Sequence, residues 1–194
     1  MSAPTKIAVL FSGRGSNLKS LVEHARQPHV PAEIVLGLCN NPGAGGLDIC
    51  RDNNIRAETV NHRDFDDRET FDAALDAALV QAEAELICAA GFMRLLTPGF
   101  VDKWRDRILN IHPSLLPKHK GLNTHQRVLD AGDTEHGCTV HLMRPEMDDG
   151  PILVQKKISV HADDTAQSLA QRVIKQEHIA FPEALDLMLS RIRT

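Results

Sequence analysis

The sequence lacks any long hydrophobic run. No apolar stretch in its 194 residues approaches the roughly 20 residues that a helix needs to cross a bilayer. Residues 1–6 are short and polar and contain no hydrophobic segment of the kind found in signal peptides. We therefore expect a cytoplasmic protein without a membrane partner.

Clustered basic charge and closely spaced cysteines are also missing. The net charge is -4, and Lys, Arg, Asp and Glu are interleaved along the chain, so no basic face predicts binding to nucleic acid. The cysteines lack the C-x-x-C spacing of zinc and redox sites. We expect buried thiols rather than a disulfide framework at all four positions, which are Cys39, Cys50, Cys88 and Cys138.

The composition and length of the chain are typical of one globular domain spanning residues 1–194. Short apolar runs alternate with segments in which apolar residues recur at helical spacing. We predict strands at residues 6–11, 33–39, 57–60, 86–90, 108–111, 138–142 and 152–158. We predict helices at residues 17–25, 46–54, 68–82, 98–104, 124–131 and 165–191, the last with a candidate break at Pro182. This alternation predicts an α/β fold, a Rossmann-like, doubly wound, mostly parallel sheet with helices on both faces.

The glycine-rich loop SGRGSN joins the first predicted strand to the first helix. Unpaired backbone N–H groups and the helix dipole favour a phosphate at such a position. A dinucleotide fits less well, because Leu18 stands where its fingerprint has a third glycine and the second strand ends without an acidic residue. We therefore predict a phosphate monoester bound by Gly15, Ser16 and Asn17, and no NAD. The simpler alternative is that Ser16 or Asn17 only caps the helix.

A polar pair ends the fifth predicted strand. Asn110 and His112 are two residues apart, so both side chains leave the strand on the same side. An Asn amide stabilises an oxyanion without carrying charge, and a His transfers protons near neutral pH. Asp148 lies in a later acidic turn, and beside His112 it would raise the pKa of the imidazole and orient the ring. The pattern favours a reaction through a tetrahedral intermediate, and its simpler alternative is a pair that caps a loop.

Other kinds of catalytic site fit less well. Ser114 has no G-x-S-x-G context and follows His112 too closely for a serine hydrolase triad. No histidines form an H-x-x-x-H or H-E-x-x-H pair, so we expect no metal.

Five segments carry a family resemblance: FSGRGSNL, AGFMRLLTP, LNIHPSLLP, GCTVHLMRPEMDDGPIL and QEH. Over nearly the whole chain they resemble the folate-dependent phosphoribosylglycinamide formyltransferase family. The resemblance implies that a formyl group passes from 10-formyltetrahydrofolate to the primary amine of glycinamide ribonucleotide, in de novo purine biosynthesis. It also implies a single domain, because the related methionyl-tRNA formyltransferases and formyltetrahydrofolate deformylases each carry an additional one. Family members occur as monomers and dimers, so we expect a monomer or a homodimer.

The resemblance also implies a role for each matching residue. Catalysis falls to Asn110, His112 and Asp148, and the substrate phosphate to Gly15, Ser16 and Asn17. Glu177 would bind the sugar or amine part of the substrate. The folate would contact Arg68 and Asn110, with its pterin against Met93, Arg94, Leu95 and Leu96. The simpler alternatives are that Met93, Leu95 and Leu96 are ordinary core residues and that Arg68 is a solvated charge at a helix start.

Two departures from the family pattern lie in the loop at residues 113–123. Lys118, His119 and Lys120 precede Gly121 where relatives commonly have an aromatic residue and a proline, and Asn123 replaces a frequent histidine. We expect them to affect how this loop packs and closes.

Three rival functions remain. An NAD-linked or non-catalytic Rossmann-like binding protein would leave Asn110, His112 and Asp148 without a role. A related enzyme would formylate an amino sugar or hydrolyse formyl-folate.

Overall fold

The computed structural model describes residues 3–192, which form seven strands and six helices. The prediction that residues 1–6 contain no signal-peptide segment includes Met1 and Ser2, which lie outside the described residues. The strands are β1 (Thr5–Phe11), β2 (Ala32–Cys39), β3 (Ala57–Thr59), β4 (Leu86–Ala89), β5 (Ile108–His112), β6 (Glu135–Leu142) and β7 (Ile152–Ser159). The helices are α1 (Ser16–Ala25), α2 (Gly46–Asp52), α3 (Arg68–Gln81), α4 (Pro98–Lys103), α5 (Thr124–Asp130) and α6 (Ala166–Ile192), with one 3-10 turn at His62–Asp64.

The strands form one sheet in the order β3-β2-β1-β4-β5-β6-β7. The first five strands run parallel, and β6 and β7 continue the sheet in antiparallel pairing. The order reverses between β1 and β4, and in such sheets ligands bind beyond the carboxyl ends of the strands at the reversal. The predicted fold class, a doubly wound and mostly parallel sheet, is confirmed.

Alternate residues of β1 enter two separate cores, one on each face of the sheet. Ile7, Val9 and Phe11 pack with apolar residues of α1 and α6, whereas Ala8 and Leu10 pack with residues of α3 and α4. The helices therefore cover both faces, as predicted. All four cysteines are buried free thiols, in agreement with the sequence analysis. No helix between residues 3 and 192 is both long and apolar enough to cross a membrane.

The candidate break at Pro182 is wrong. α6 is one continuous helix of 27 residues with Pro182 inside it. A proline lacks the N–H that would bond to the carbonyl four residues earlier, which here belongs to His178. Apolar residues on both sides of Pro182, including Phe181 and Leu185, are fully buried against the sheet, and this packing maintains the helix through the missing bond.

Two glycines bring the start of α1 close to the start of α2. Gly15 has φ 79°, a left-handed conformation that favours glycine. A Cβ on Gly15 would lie 2.7 Å from the Cα of Gly46, and a Cβ on Gly46 would lie 2.5 Å from the ring of Phe11. The loop that opens α1 therefore depends on both glycines.

His125 of α5 and His136 of β6 form a pair of contacting imidazoles. His125 Nδ1 lies 2.9 Å from His136 Nε2, and the rings meet edge to face. At this distance only one of the two facing nitrogens can carry a proton, because two facing N–H groups would both be donors. Burial lowers the pKa of His125, and burial with the neighbouring His125 lowers the pKa of His136 to about 4.

The pair predicts a loss of stability in acid. The folded protein binds fewer protons than the unfolded chain between pH 6.5 and about 4, so stability is full above pH 6.5 and falls as the pH decreases. We expect the free energy of unfolding from urea titrations to fall by up to about 1.4 kcal/mol per pH unit in this window. His136→Leu should flatten this slope, and His29→Leu at an exposed position should retain it. An unchanged slope in His136→Leu would contradict this account.

Candidate active site

The polar cluster predicted at the end of β5 forms across two paired strands. Asn110 of β5 lies opposite His141 of β6, and His112 lies opposite Thr139. Asn110 Nδ2 is 3.1 Å from His141 Nε2, and His141 Nδ1 is 3.2 Å from the Leu142 carbonyl oxygen. If Nδ1–H donates to that carbonyl, Nε2 accepts from Asn110, which keeps a second amide N–H for a ligand.

Asp148 lies between the two histidines. One carboxylate oxygen, Oδ2, is 3.3 Å from His112 Nδ1 and accepts a hydrogen bond of 2.8 Å from the Gly121 backbone N–H. The other, Oδ1, is 3.7 Å from His141 Nε2. Asp148 has φ 51°, a left-handed conformation that Asp tolerates better than most residues. The structure therefore brings Asn110, His112 and Asp148 together, with Asp148 as the shared partner.

His112 has an acceptor at each ring nitrogen. Its Nε2 is 3.0 Å from the His119 carbonyl oxygen, and its Nδ1 faces Asp148. Burial nevertheless lowers the pKa of His112, and the His119 carbonyl and Asp148 oppose this effect without reversing it. Asp148 does raise the pKa, as expected, but the net shift is downward, because the side chain is only 7% exposed and desolvation outweighs the nearby carboxylate.

Asp148 is ionised in this site. Burial acts to raise its pKa, but the His141 imidazole at 3.7 Å, the hydrogen bond from the Gly121 N–H and the nearby His112 together hold the pKa below its ordinary value. A buried carboxylate with these partners remains charged at neutral pH, and it stabilises positive charge on either imidazole.

His141 is a site residue that sequence reasoning missed. Its spacing from the other histidines matches no metal-binding motif, so the sequence alone assigns it no role. A signal was present, because the alternation Thr139, His141 on β6 matches the alternation Asn110, His112 on β5. Which residues face each other depends on the β5 to β6 register, which a single sequence does not specify.

The loop at residues 113–123 is closed over Asp148. His119 Nε2 is 2.7 Å and Lys118 Nζ is 3.0 Å from the Asp133 carboxylate, and Lys120 forms an ion pair with Asp149. Lys118, His119 and Lys120 therefore connect the loop to the segment after α5, which contains Asp133, and to the turn before β7, which contains Asp149. Asn123 is the N-cap residue of α5 and has φ 56°, a left-handed conformation in which Asn is favoured over most other residues.

The glycine loop leaves the first turn of α1 without a side-chain cap. Gly15 is the N-cap residue, so the alternative of a capping Ser16 or Asn17 is not observed. Asn17 Nδ2 instead donates a 2.6 Å hydrogen bond to Glu177 Oε2. Burial raises the pKa of Glu177, and this hydrogen bond opposes the rise. Glu177 of α6 is thus placed beside the loop, where the uncapped N–H groups favour an anion.

The segment at residues 93–96 presents apolar side chains to solvent. Met93 is 69% exposed and Leu95 is 57% exposed, so the alternative of ordinary core residues is wrong for both, whereas Leu96 packs against the core. The Met93 N–H donates a 2.7 Å hydrogen bond to Ser12 Oγ. Arg94 is exposed, and Arg68 is the exposed first residue of α3.

A buried carboxylate holds the end of this segment. Asp72 Oδ2 accepts a 2.6 Å hydrogen bond from the Thr97 backbone N–H. Burial raises the pKa of Asp72, and the bonds from Thr97 oppose the rise. Exposed apolar side chains on a segment that is anchored at both ends are typical of a surface that binds an apolar ligand.

The arrangement suits a reaction that develops negative charge on oxygen and moves a proton. An amide donor and a histidine with a paired carboxylate converge where the sheet ends. Among residues 3–192, no group of three or more His, Cys, Asp or Glu side chains is placed to hold a metal ion.

Comparisons with known proteins identify the family of this chain. A family model described as formyl transferase matches residues 5–185. Phosphoribosylglycinamide formyltransferase from Escherichia coli is 39% identical over 91% of this chain and 83% of that protein. A structure of phosphoribosylglycinamide formyltransferase from Brucella melitensis has a TM-score of 0.91 and 44% identity, with 96% of each chain covered.

Longer relatives contain a similar segment. The trifunctional purine biosynthetic protein adenosine-3 of Chironomus tentans is 45% identical over 98% of this chain, which spans 14% of that protein's length. The match over residues 5–185 and the identity with relatives of similar length show that this chain belongs to the formyl transferase family.

Proposed function

We propose that this protein transfers the formyl group of 10-formyltetrahydrofolate to the primary amine of glycinamide ribonucleotide. The observation that carries the proposal is the Asp148 carboxylate between His112 and His141, with Asn110 beside them at the carboxyl end of β5. The names of the relatives supply the acceptor, because they are phosphoribosylglycinamide formyltransferases. The uncapped glycine loop supports a substrate that carries a phosphate.

The reaction follows from the protonation states in the site. The amine nitrogen attacks the formyl carbon, and the carbonyl π electrons move to oxygen, where the free N–H of Asn110 stabilises the oxyanion. His112, which burial keeps largely neutral, accepts a proton from the attacking nitrogen and becomes an imidazolium beside Asp148. It then donates that proton to N10 of the folate as the carbon–nitrogen bond breaks and the carbonyl reforms.

The loop at residues 113–123 takes part in this proposal. The carbonyl oxygen of His119, in this loop, lies 3.0 Å from Nε2 of His112. In the proposed mechanism, Nε2 is the nitrogen that accepts and donates the proton. Binding of the substrates would replace this carbonyl at Nε2, while Nδ1 keeps its contact with Asp148.

The remaining predicted residues bind the two substrates. Gly15, Ser16 and Asn17 would hold the phosphate. Glu177, which accepts a hydrogen bond from Asn17, would bind the sugar or amine portion of the same substrate. The exposed Met93 and Leu95, with Arg94 and Leu96, would contact the pterin, and Arg68 another part of the folate.

The proposal requires neither a metal nor NAD. It includes one catalytic domain, which acts as a monomer or a homodimer, and a cytoplasmic location. Four free, buried cysteines suit such a reducing compartment.

The direct test mixes the purified protein with 10-formyltetrahydrofolate and glycinamide ribonucleotide. We expect formylglycinamide ribonucleotide and tetrahydrofolate in equal amounts, measured by chromatography and folate absorbance. Consumption of formyl-folate without this product would indicate a deformylase. A tight NAD complex and no formyl transfer would indicate a nucleotide-binding protein, and either result would refute the proposal.

Removal of the substrate phosphate tests the glycine loop. Because binding energy at the phosphate positions the amine, a dephosphorylated substrate should lose turnover as well as affinity. We expect kcat to fall and KM to rise in steady-state assays with both forms of the substrate. Equal kcat for the two substrates would refute the role of Gly15, Ser16 and Asn17.

Asp148→Asn tests the acid–base role. Asp148 raises the pKa of His112, so its removal should lower that pKa and shift the acid limb of the kcat–pH profile to lower pH. We expect kcat to fall by roughly 10²-fold or more, since the imidazolium loses its partner. Asp149→Asn, at the exposed neighbouring position, is the matched control and should retain the profile. An unchanged rate and profile in Asp148→Asn would contradict the assignment.

A further inference from the structure

Three polar side chains form a row across the last three strands of the sheet. His112 of β5 lies opposite Thr139 of β6, and Thr139 lies opposite Gln155 of β7. Directly opposed residues of antiparallel strands point to the same face of the sheet, so all three side chains share one face. Val140 and Val154, at the neighbouring positions, point to the other face and enter the core shared with α6. Gln155 therefore lies on the same side of the sheet as His112, two strands away.

Gln155 holds the chain that follows His112. Its Nε2 donates a 2.8 Å hydrogen bond to the Leu116 carbonyl oxygen and a 2.9 Å hydrogen bond to Thr139 Oγ1. The orientation of the amide follows from these partners, because the Leu116 carbonyl can only accept and would repel the side-chain oxygen of Gln155. Gln155 thus uses both of its N–H groups to connect β7 and β6 to the loop at residues 113–123.

The Thr139 hydroxyl completes this network. It donates a 2.7 Å hydrogen bond to the Ser114 carbonyl oxygen and accepts a 3.1 Å hydrogen bond from the Leu116 backbone N–H. Ser114 Oγ in turn donates a 2.7 Å hydrogen bond to the Lys118 carbonyl oxygen. Ser114, Leu116 and Thr139 are all buried, so water does not replace these partners. Because an unpaired buried backbone group is unfavourable, the side chains of Thr139 and Gln155 fix residues 114–116 on the sheet.

The part of the loop that reaches the catalytic side chains directly follows this fixed segment. The His119 carbonyl oxygen lies 3.0 Å from His112 Nε2, and the Gly121 N–H donates a 2.8 Å hydrogen bond to Asp148 Oδ2. Both contacts depend on where residues 114–116 hold the start of the loop. A shift of this segment would be passed on to both catalytic side chains.

We propose that Gln155 is a positioning residue for formyl transfer. Its N–H groups fix residues 114–116 and thereby hold the loop at the distance from which it meets His112 and Asp148. The hydrogen bonds of Gln155 reach Leu116 and Thr139 rather than the catalytic side chains, so it acts through the loop. The inference rests on the proposed function for the identity of the reaction, whereas the anchoring of the loop can be measured without it.

The test uses two variants that remove the N–H donors in different ways. Gln155→Glu keeps the shape of the side chain but has only acceptors when ionised, and Gln155→Met removes the donors without adding a charge. We expect kcat for formyl transfer to fall by roughly tenfold or more in both variants, because a small displacement of catalytic groups is costly. The KM of glycinamide ribonucleotide should stay within about twofold of the wild-type value, because the glycine loop proposed to hold its phosphate lies outside this network.

The backbone amide of Gly121 gives a second measurement that does not depend on turnover. Its hydrogen is bonded to Asp148 Oδ2 while the loop is closed. We expect this hydrogen to exchange with solvent about tenfold faster or more in both Gln155 variants, measured by NMR. Two controls should keep the wild-type kcat and exchange rate. They are Gln167→Glu at an exposed position of α6, and Val154→Ala, which weakens the core on the other face of β7.

Three results would overturn this inference while leaving the proposed function intact. The first is a wild-type kcat and exchange rate in the Gln155 variants, and the second is a fall in kcat without faster exchange at Gly121. The third is the same pair of changes in Val154→Ala, because general destabilisation would then explain them. If the wild type transfers no formyl group, the proposed function fails, and the exchange rates decide the role of Gln155 separately. Faster exchange in both Gln155 variants alone then supports the anchoring of the loop, and unchanged exchange refutes it.

Discussion

The buried Asp148 carboxylate and the groups that surround it organise this site. A carboxylate away from water is unfavourable unless positive or donating groups surround it. Here the Gly121 N–H and the two histidines surround it, which links the loop at residues 113–123 to β5 and β6. Because His112 and His141 lie on neighbouring strands, the sheet register fixes the distance between them, and one carboxylate can reach both.

Desolvation and electrostatic attraction act on His112 in opposite directions, and desolvation is the larger effect. The imidazole is therefore ready to accept a proton, and Asp148 lowers the energy of the cation that results. A site that kept His112 permanently charged would provide an acid but no base. Both steps of formyl transfer, proton removal from the amine and proton donation to N10, need a histidine that changes state.

Much of the fold was predictable from sequence, because periodicity of apolar residues is a local signal. The seven strands and six helices match the predicted ones within a few residues, and β6 begins three residues before its predicted start at Cys138. The structure also brings together Asn110, His112 and Asp148, whose side-chain chemistry and positions beside predicted strands are visible in the sequence. The continuity of α6 through Pro182 was not predictable from the sequence, because it depends on the burial of the residues around Pro182.

The features that escaped prediction depend on tertiary structure. His141 joins the site only through the register of β5 and β6, and the net pKa of His112 depends on how completely the loop buries it. Sequence reasoning identifies residues with suitable chemistry, and their protonation states require the folded structure.

The central claim, that Asp148 raises the pKa of a buried His112 which is largely neutral at neutral pH, can be measured by ¹⁵N NMR of the histidine side chains across a pH titration. The account predicts that His112 titrates below the ordinary histidine pKa in the wild type and lower still in Asp148→Asn. A His112 pKa above the ordinary value, or the same pKa in both proteins, would contradict it.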